Sequence, residues 1–387
     1  MKKLISMLLV AVMAFSLAAC SNTAPKTDGQ TIENNVNAEQ NNNSQTDNAA
    51  NSVDETPSTI TVEHAFGTTE VPYNPDRVCV LDSNAMDFIH MLDLGEHVAS
   101  AQAPKGIPAY LEEYYNSESI IVLERMESSS KNKGNSDTES TEETADPYEG
   151  YYTIDADLII GSADTVDAEL YEVLSQIAPT IVTNFAIDHE EGMYAGVKAN
   201  AYLIASIWGV ESKLDELLAK YDAIYQELDE KLEGVSVVMV NSTMDAGRIQ
   251  IVSNDDFSDS SEKLEAERSG RMLLDLGMIM YSNDAPEEVV EASKYDRNSD
   301  ETAQLAKNEV IADWIEQQNA DYVLLVDRNF DSIEEAIQEG YEITALTGLT
   351  AYKEGKLISL SYEGKTGSSG LYGTFVQLDE LKANFLE

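Results

Sequence analysis

Cysteine is nearly absent from this chain: Cys20 and Cys79 are the only two in 387 residues. Basic charge is scarce too, with 24 Lys+Arg against 71 Asp+Glu and a formal net charge of −47. Such a balance excludes a surface for nucleic acid or anionic lipid, although it does not name what a cleft would hold. The four histidines, His64, His90, His97 and His189, contain no pair spaced three or four residues apart. Direct zinc or manganese capture is therefore not expected, and no metal ligands are assigned. There is no Gly-x-Ser-x-Gly, no P-loop and no zincin signature, so neither catalytic residues nor a cofactor are expected. Carboxylates are so abundant that a glycosidase pair could be drawn anywhere, which makes such a pairing uninformative.

Long apolar runs are missing except at the start. "MKKLISMLLVAVMAFSLAAC" joins two lysines, an apolar run and small residues before a cysteine. That is the pattern of a secretory signal peptide, and the run is short for a membrane span. Leu17 to Cys20 resembles the bacterial lipobox, in which the cysteine is lipidated and becomes the mature N-terminus; a cleaved signal with a coincidental cysteine is the alternative. Lipidation of Cys20 would hold the protein on the extracytoplasmic face of the cell membrane. Cys79 would then have no partner for an intrachain disulfide, and within "RVCVLD" it reads as a small buried apolar residue. A chain without disulfides depends on its core, and roughly 330 folded residues suffice for two domains.

Residues 21–58 are almost entirely polar and cannot offset their ordering entropy, so they read as a flexible tether reaching roughly 30–35 Å on average. A second polar run, 127–147, reads as a disordered surface loop. Elsewhere strand-like and helix-like segments alternate: a strand at 77–82, a helix at 84–95, a strand at 156–162, a helix at 168–178 and a strand at 180–185. The rhythm recurs after 234, through "VSVVMVN", "SGRMLLDLGM", "ADYVLLVD" and "GKLISLS". It predicts parallel sheets flanked by helices. "DADLIIGS" (155–162) and "NADYVLLVD" (319–327) both place Ala-Asp before an apolar strand, a sign of two similar lobes. Apolar residues recur at helical spacing from Tyr194 to Trp208 and from Leu214 to Leu232, with Gly209 as a break. The first piece, about 25–30 Å long, could pass from one lobe to the other. The expected organisation is a signal peptide at 1–19, a tether at 20–58, an N-terminal α/β lobe at 59–188, an inter-lobe helix at 189–210 and a C-terminal α/β lobe at 211–387.

Taken in order, these stretches resemble the iron-siderophore (and vitamin B12) class of ABC-transporter substrate-binding lipoproteins over about residues 59–387. They are most similar to the branch that binds ferric catecholate siderophores. "ITVEHAFGTTEVPYNPDRVCVLD" resembles that family's opening hairpin and first strand. "IDADLIIGS" and "LSQIAPTIV" resemble its Asp-Leu-Ile-Ile and Ile-Ala-Pro-Thr segments, "ADYVLLVDRN" its Val-Asp-Arg segment, and "AYKEGKLISL" the strand near its C-terminus. The resemblance implies an α/β fold of two Rossmann-like lobes joined by a single long helix, the class III periplasmic binding protein fold. It also implies a monomer that takes a ferric siderophore and meets an ABC permease and its ATPase.

In that branch arginines from both lobes converge on the anionic ferric complex, since a guanidinium stays protonated and presents planar donors to oxygen. Arg328 matches the arginine of the Val-Asp-Arg segment. Arg268 matches the one in the family's Ser-Arg-Phe-Gly segment, and Arg271 could substitute for it one helical turn on. Lys105 in "APKGIP", Tyr362 and Lys365 are further candidates. The chain departs from the pattern at Ala163, where the family often has an arginine, and at Glu363, which replaces a tryptophan. Other readings stay open: Arg328 could pair with a surface carboxylate, or the ligand could be haem or a cobamide, with Tyr362 or Tyr372 as an axial haem ligand. An exported enzyme on the same frame is a third reading, without a nucleophile–base pair to mark it.

Overall fold

The computed structural model describes residues 57–104, 106–123, 149–252, 270–294, 300–327, 329–361 and 370–387. Cys20, the tether up to residue 56 and the insert 127–147 lie outside them.

The described chain opens with an antiparallel hairpin, β1 (Thr59–His64) and β2 (Gly67–Pro72). A parallel sheet follows, built from β3 (Val78–Val80), β4 (Val98–Gln102), β5 (Ile121–Leu123), β6 (Leu158–Ser162) and β7 (Thr180–Thr183), in the order β5-β4-β3-β6-β7. The second sheet contains β8 (Ser236–Thr243), β9 (Arg248–Ile251), β10 (Ile279–Met280), β11 (Tyr322–Asp327) and β12 (Leu357–Leu360). Its order is β10-β8-β11-β12, with β9 antiparallel on β8. With β5 and β9 set aside, the two sheets have one topology: the lobe's first strand is central, the second lies on one side and the last two on the other.

The repeated Ala-Asp dipeptide has a structural role in that topology. Asp157, just before β6, accepts the Arg77 N–H through its carboxylate at 3.1 Å, and its own N–H donates to the Arg77 carbonyl at 2.7 Å. Asp321, just before β11, accepts the N–H and hydroxyl of Ser236 at 2.9 and 2.7 Å. In each lobe the aspartate ties the entry of this strand to the entry of the first strand, which sets their register.

Eleven helices are bounded within the described residues: α1 (Ser83–Met91), α2 (Glu112–Tyr115), α3 (Ala168–Leu174), α4 (Met193–Trp208), α5 (Glu211–Leu232), α6 (Glu287–Ser293), α7 (Glu301–Gln318), α8 (Ile333–Gln338), α9 (Thr344–Thr347), α10 (Thr350–Lys353) and α11 (Leu371–Phe385). Asp82, Asp167, Asp300 and Ser332 cap α1, α3, α7 and α8 by accepting N–H groups of the first turn, which would otherwise lack partners. Both central strands alternate faces. Cys79, Leu81 and Ile159 face α3, while Val238, Val240 and Val323 share a core with α7. Burial pushes the Cys79 thiol up to about 11, with a Ser100 hydrogen bond opposing it, so this cysteine is a core residue rather than a nucleophile.

The opposite faces of the two sheets belong to a single core that runs through both lobes, from Val78 and Leu158 to Val237 and Leu324. Helices α4, α5 and α11 carry it across. Gly209, left-handed at φ 66°, ends α4. The next helix, α5, rises about 33 Å over its 22 residues. Near its start Lys213 donates to the Leu92 carbonyl at 2.9 Å, and just past its end the Gly234 N–H donates to the Gly277 carbonyl at 2.8 Å. Tyr194 stacks on Tyr225 at 4.8 Å and Tyr221 on Phe375 at 3.6 Å, locking α4 to α5 and α5 to α11. Helix α11 starts against Asp87 of α1 and ends with Phe385 edge-on to Tyr322 of β11. A seam packed this densely resists hinge bending more than two extended linkers would.

Candidate functional site

In open α/β sheets ligands bind beyond the carboxyl ends of the strands, where the strand order reverses. Here the reversals fall between β3 and β6 and between β8 and β11. At the first, buried Asp82 accepts the Ala85 N–H at 2.9 Å and the Ser162 N–H at 2.8 Å. Burial pushes its carboxyl up, and these two donors pull it back. Beside it Asn84 donates to Asp164 at 2.6 Å. At the second, buried Asp327 accepts from the Ser242 hydroxyl at 2.6 Å, the Met244 N–H at 2.8 Å, the Asn329 N–H at 2.8 Å and the Phe330 N–H at 3.2 Å. This knot fixes the chain on both sides of position 328.

Of the six siderophore contacts expected from sequence, only Arg271 is described. Its Nε donates to Asp275 at 2.9 Å, and the same carboxylate accepts the Met193 N–H at 2.6 Å. Gly192, at φ +97°, precedes that contact, and a Cβ there would stand 2.8 Å from the Asp275 oxygen. Arg271 thus helps to seat the start of α4. Arg268, Arg328, Lys105, Tyr362 and Lys365 lie outside the described residues.

A cavity of about 830 Å³ opens at the carboxyl ends of β6 and β7, within the usual range for small-molecule sites. Ala65 and Phe66 of the β1–β2 turn form one wall, and Ala163, Val166 and Asp167 after β6 form another. The loop after β7 contributes Asn184, Phe185 and residues Asp188 to Glu191, and α4 closes the far side with Gly196, Ala199 and Asn200. Ala65 donates to the Val182 carbonyl at 2.9 Å and so pins the turn to β7. Buried Asn200 grips both sides of Asn184, accepting its N–H at 3.0 Å and donating to its carbonyl at 2.9 Å. Gly196 lets α4 lie against the turn Ala186–Asp188, since a Cβ would sit 2.3 Å from the Ala186 oxygen.

Phe66 is braced from behind. It stacks on Tyr171 at 4.8 Å, and its N–H donates to His64 Nδ1 at 3.3 Å. With Nδ1 accepting, the proton resides on Nε2, which faces the Thr69 hydroxyl at 2.9 Å. Burial pulls His64 below its ordinary value. A second aromatic pair lies where α11 begins: Tyr110 stacks on Tyr372 at 3.9 Å, and buried Asp87 accepts from the Tyr110 hydroxyl at 2.8 Å and the Tyr372 N–H at 3.2 Å.

Sequence reasoning did not find Phe66, Gly196 or Asn200. Asn200 carried a signal, as a polar residue on the buried stripe of an otherwise apolar helix. Phe66 carried none, because only the fold brings the hairpin turn beside β7. Among the described residues, no three His, Cys, Asp or Glu side chains converge as a metal site.

A comparison with protein-family models gives no match. Among curated proteins the chain is similar to the ferric-anguibactin-binding protein FatB of Vibrio anguillarum, 26% identical over 193 residues, which are 49% of this chain and 52% of that one. The match thus spans about half the length of the curated relative. Among solved structures it is similar to the periplasmic catecholate-siderophore binding protein VctP of Vibrio cholerae, with a TM-score of 0.55 and 22% identity over 84% of this chain and 99% of that one. It is also similar to the petrobactin-binding protein YclQ of Bacillus subtilis, with a TM-score of 0.54 and 22% identity over 85% and 99%. Two sheets of one topology, a helical seam between them and this overlap establish the two-lobed α/β fold of the class III periplasmic binding proteins.

Proposed function

We propose that this chain is the substrate-binding component of an ABC importer and that it captures a ferric siderophore of catecholate type. In this reading Cys20 carries a lipid anchor at the extracytoplasmic face of the membrane, and the loaded protein delivers its cargo to a permease and its ATPase. The observation that carries the reading is the cavity of about 830 Å³ at the carboxyl ends of β6 and β7, on this two-lobed frame. The names of the similar proteins, which give ferric anguibactin, a catecholate siderophore and petrobactin as what those proteins bind, point the same way. Arg328 and Arg268 are the proposed cationic contacts to the ferric complex, with Lys105, Tyr362 and Lys365 as further candidates. Arg271 shares its guanidinium with Asp275, which favours Arg268 over it.

The test is the absorption spectrum of protein purified from its iron-starved host, followed by quenching of Trp208 and Trp314 fluorescence with ferric catecholates. A broad visible charge-transfer band is expected; a Soret or corrin band would replace this reading with haem or cobamide binding. Truncating one partner of a buried charged contact costs about 2–5 kcal/mol, so Arg328→Ala should weaken binding by roughly 30-fold or more while apo stability holds. Unchanged binding in both Arg328→Ala and Arg268→Ala would remove these residues from the site.

A further inference from the structure

Among its described lining residues, the cavity walls carry carboxylates and no lysine or arginine. The carboxylates are Asp167, Asp188, Glu190 and Glu191. Among the described residues, Lys198 of α4 pairs with Asp222 at 2.9 Å over the Tyr194 ring, and Arg271 pairs with Asp275. Asp167 caps α3 through the Leu170 N–H at 2.9 Å, and His189 Nδ1 accepts the Glu191 N–H at 3.2 Å. Deeper in, the walls are Phe66, Phe185 and Val166. The residue directly after β6 is Ala163, at the place where the family resemblance leads one to expect an arginine. A guanidinium there would fill space and neutralise the rim, whereas a methyl group leaves the space open and the rim acidic.

An anionic iron–catecholate head would be repelled from such a wall, because like charges in a partly desolvated cleft oppose one another. We infer that this cavity takes a cationic, partly apolar arm of the bound complex, a protonated amine on a short hydrocarbon stem. The aromatic walls would hold the stem and the face of the cation, and the carboxylate rim its charge. The iron-binding head would then lie outside this cavity. The inference rests on the siderophore-receptor reading and narrows the ligand class within it.

The experiment compares two ferric complexes of one synthetic bis-catechol ligand, the first ending in a primary amine and the second in its acetamide. Each is titrated against the full chain by tryptophan quenching. Partly exposed charge pairs are individually weak, so the combined preference for the amine is expected to be about tenfold at low salt and to shrink as salt rises. Asp188→Asn combined with Glu191→Gln should reduce the preference. Ala163→Arg should reverse it. Equal binding of the two complexes, or a preference for the acetamide, would overturn the inference and leave the receptor reading standing. Binding of neither complex would overturn the catecholate reading, and the inference with it.

Discussion

The two lobes solve one problem in opposite senses. Where two adjacent parallel strands end and their chains diverge, backbone N–H groups lose their ladder partners. In the N-terminal lobe, Asp82 follows the lobe's first strand and reaches across to Ser162 of β6. In the C-terminal lobe, Asp327 ends β11 and reaches back to Ser242 and Met244 at the end of β8. The topology therefore calls for a buried carboxylate at the reversal of strand order, on either strand. The two differ in how much they hold. Asp82 accepts two backbone N–H groups, one of them capping α1. Asp327 accepts four donors and fixes the loops on both sides of itself.

The largest expected effect follows from that difference. Each buried donor left without a partner costs about 1–3 kcal/mol, partly relieved where water can enter. Asp327→Ala should therefore cost about 3–5 kcal/mol and Asp82→Ala about 2–3 kcal/mol. Urea denaturation followed by circular dichroism measures both. If Asp82→Ala shifts the midpoint as far as Asp327→Ala, the number of donors does not govern the cost and the contrast between the lobes fails.

Much of this frame was legible in the sequence, because short continuous apolar runs and Ala-Asp repeats are local signals. The strand at 156–162 appears as Leu158–Ser162, and the helix at 84–95 as Ser83–Met91, which stops where Leu92 caps it. The break at Gly209 was legible from residue type alone, since a left-handed residue is least strained as glycine. The cavity was not. Its walls come from a hairpin turn, two strand ends and a helix face separated by more than a hundred residues, and no spacing rule links Phe66 to Asn200. Of the six expected ligand residues, Arg328, Arg268 and Tyr362 were chosen by likeness to a family, and Arg271, Lys105 and Lys365 as groups that could replace or add to them. The one that is described, Arg271, sits at the start of α4, bound to Asp275.

The Ala-Asp repeat permits a sharper comparison of smaller effects. Asp157 accepts one N–H, and Asp321 accepts an N–H and a hydroxyl from the same residue. Both sites are exposed, so each Asp→Ala change should cost only about 1 kcal/mol. Asp321 adds a pH signature. The Ser236 hydroxyl and N–H hold its carboxyl below the usual range. Its contribution is therefore present above the ordinary aspartate value of about 3.9 and lost as pH falls through the lowered one. Asp321→Asn should flatten the acid limb of the stability curve below pH 4. An unchanged acid limb would mean that the Ser236 donors do not favour the ionised carboxylate in the folded state.

The smallest effect belongs to the hairpin, which packs on the N-terminal lobe and has no counterpart among the described residues of the other. Burial holds His64 below the ordinary histidine value of about 6.5. A lowered histidine contributes stability that is fully present above that ordinary value and is lost as pH falls through the lowered one. Protonation must occur at Nδ1, which then repels the Phe66 N–H instead of accepting it. Its other neighbours, the hydroxyls of Thr69 and Tyr171, supply no negative charge to compensate. The turn that carries Phe66 into the cavity should loosen between pH 7 and pH 5, with a small fall in melting temperature and weaker quenching by ferric catecholate. His64→Asn keeps an acceptor near the Phe66 N–H without a titrating ring, so both losses should shrink in that variant. If they persist in His64→Asn at full size, the acid sensitivity arises elsewhere, and the hairpin is only a rigid wall of the cavity.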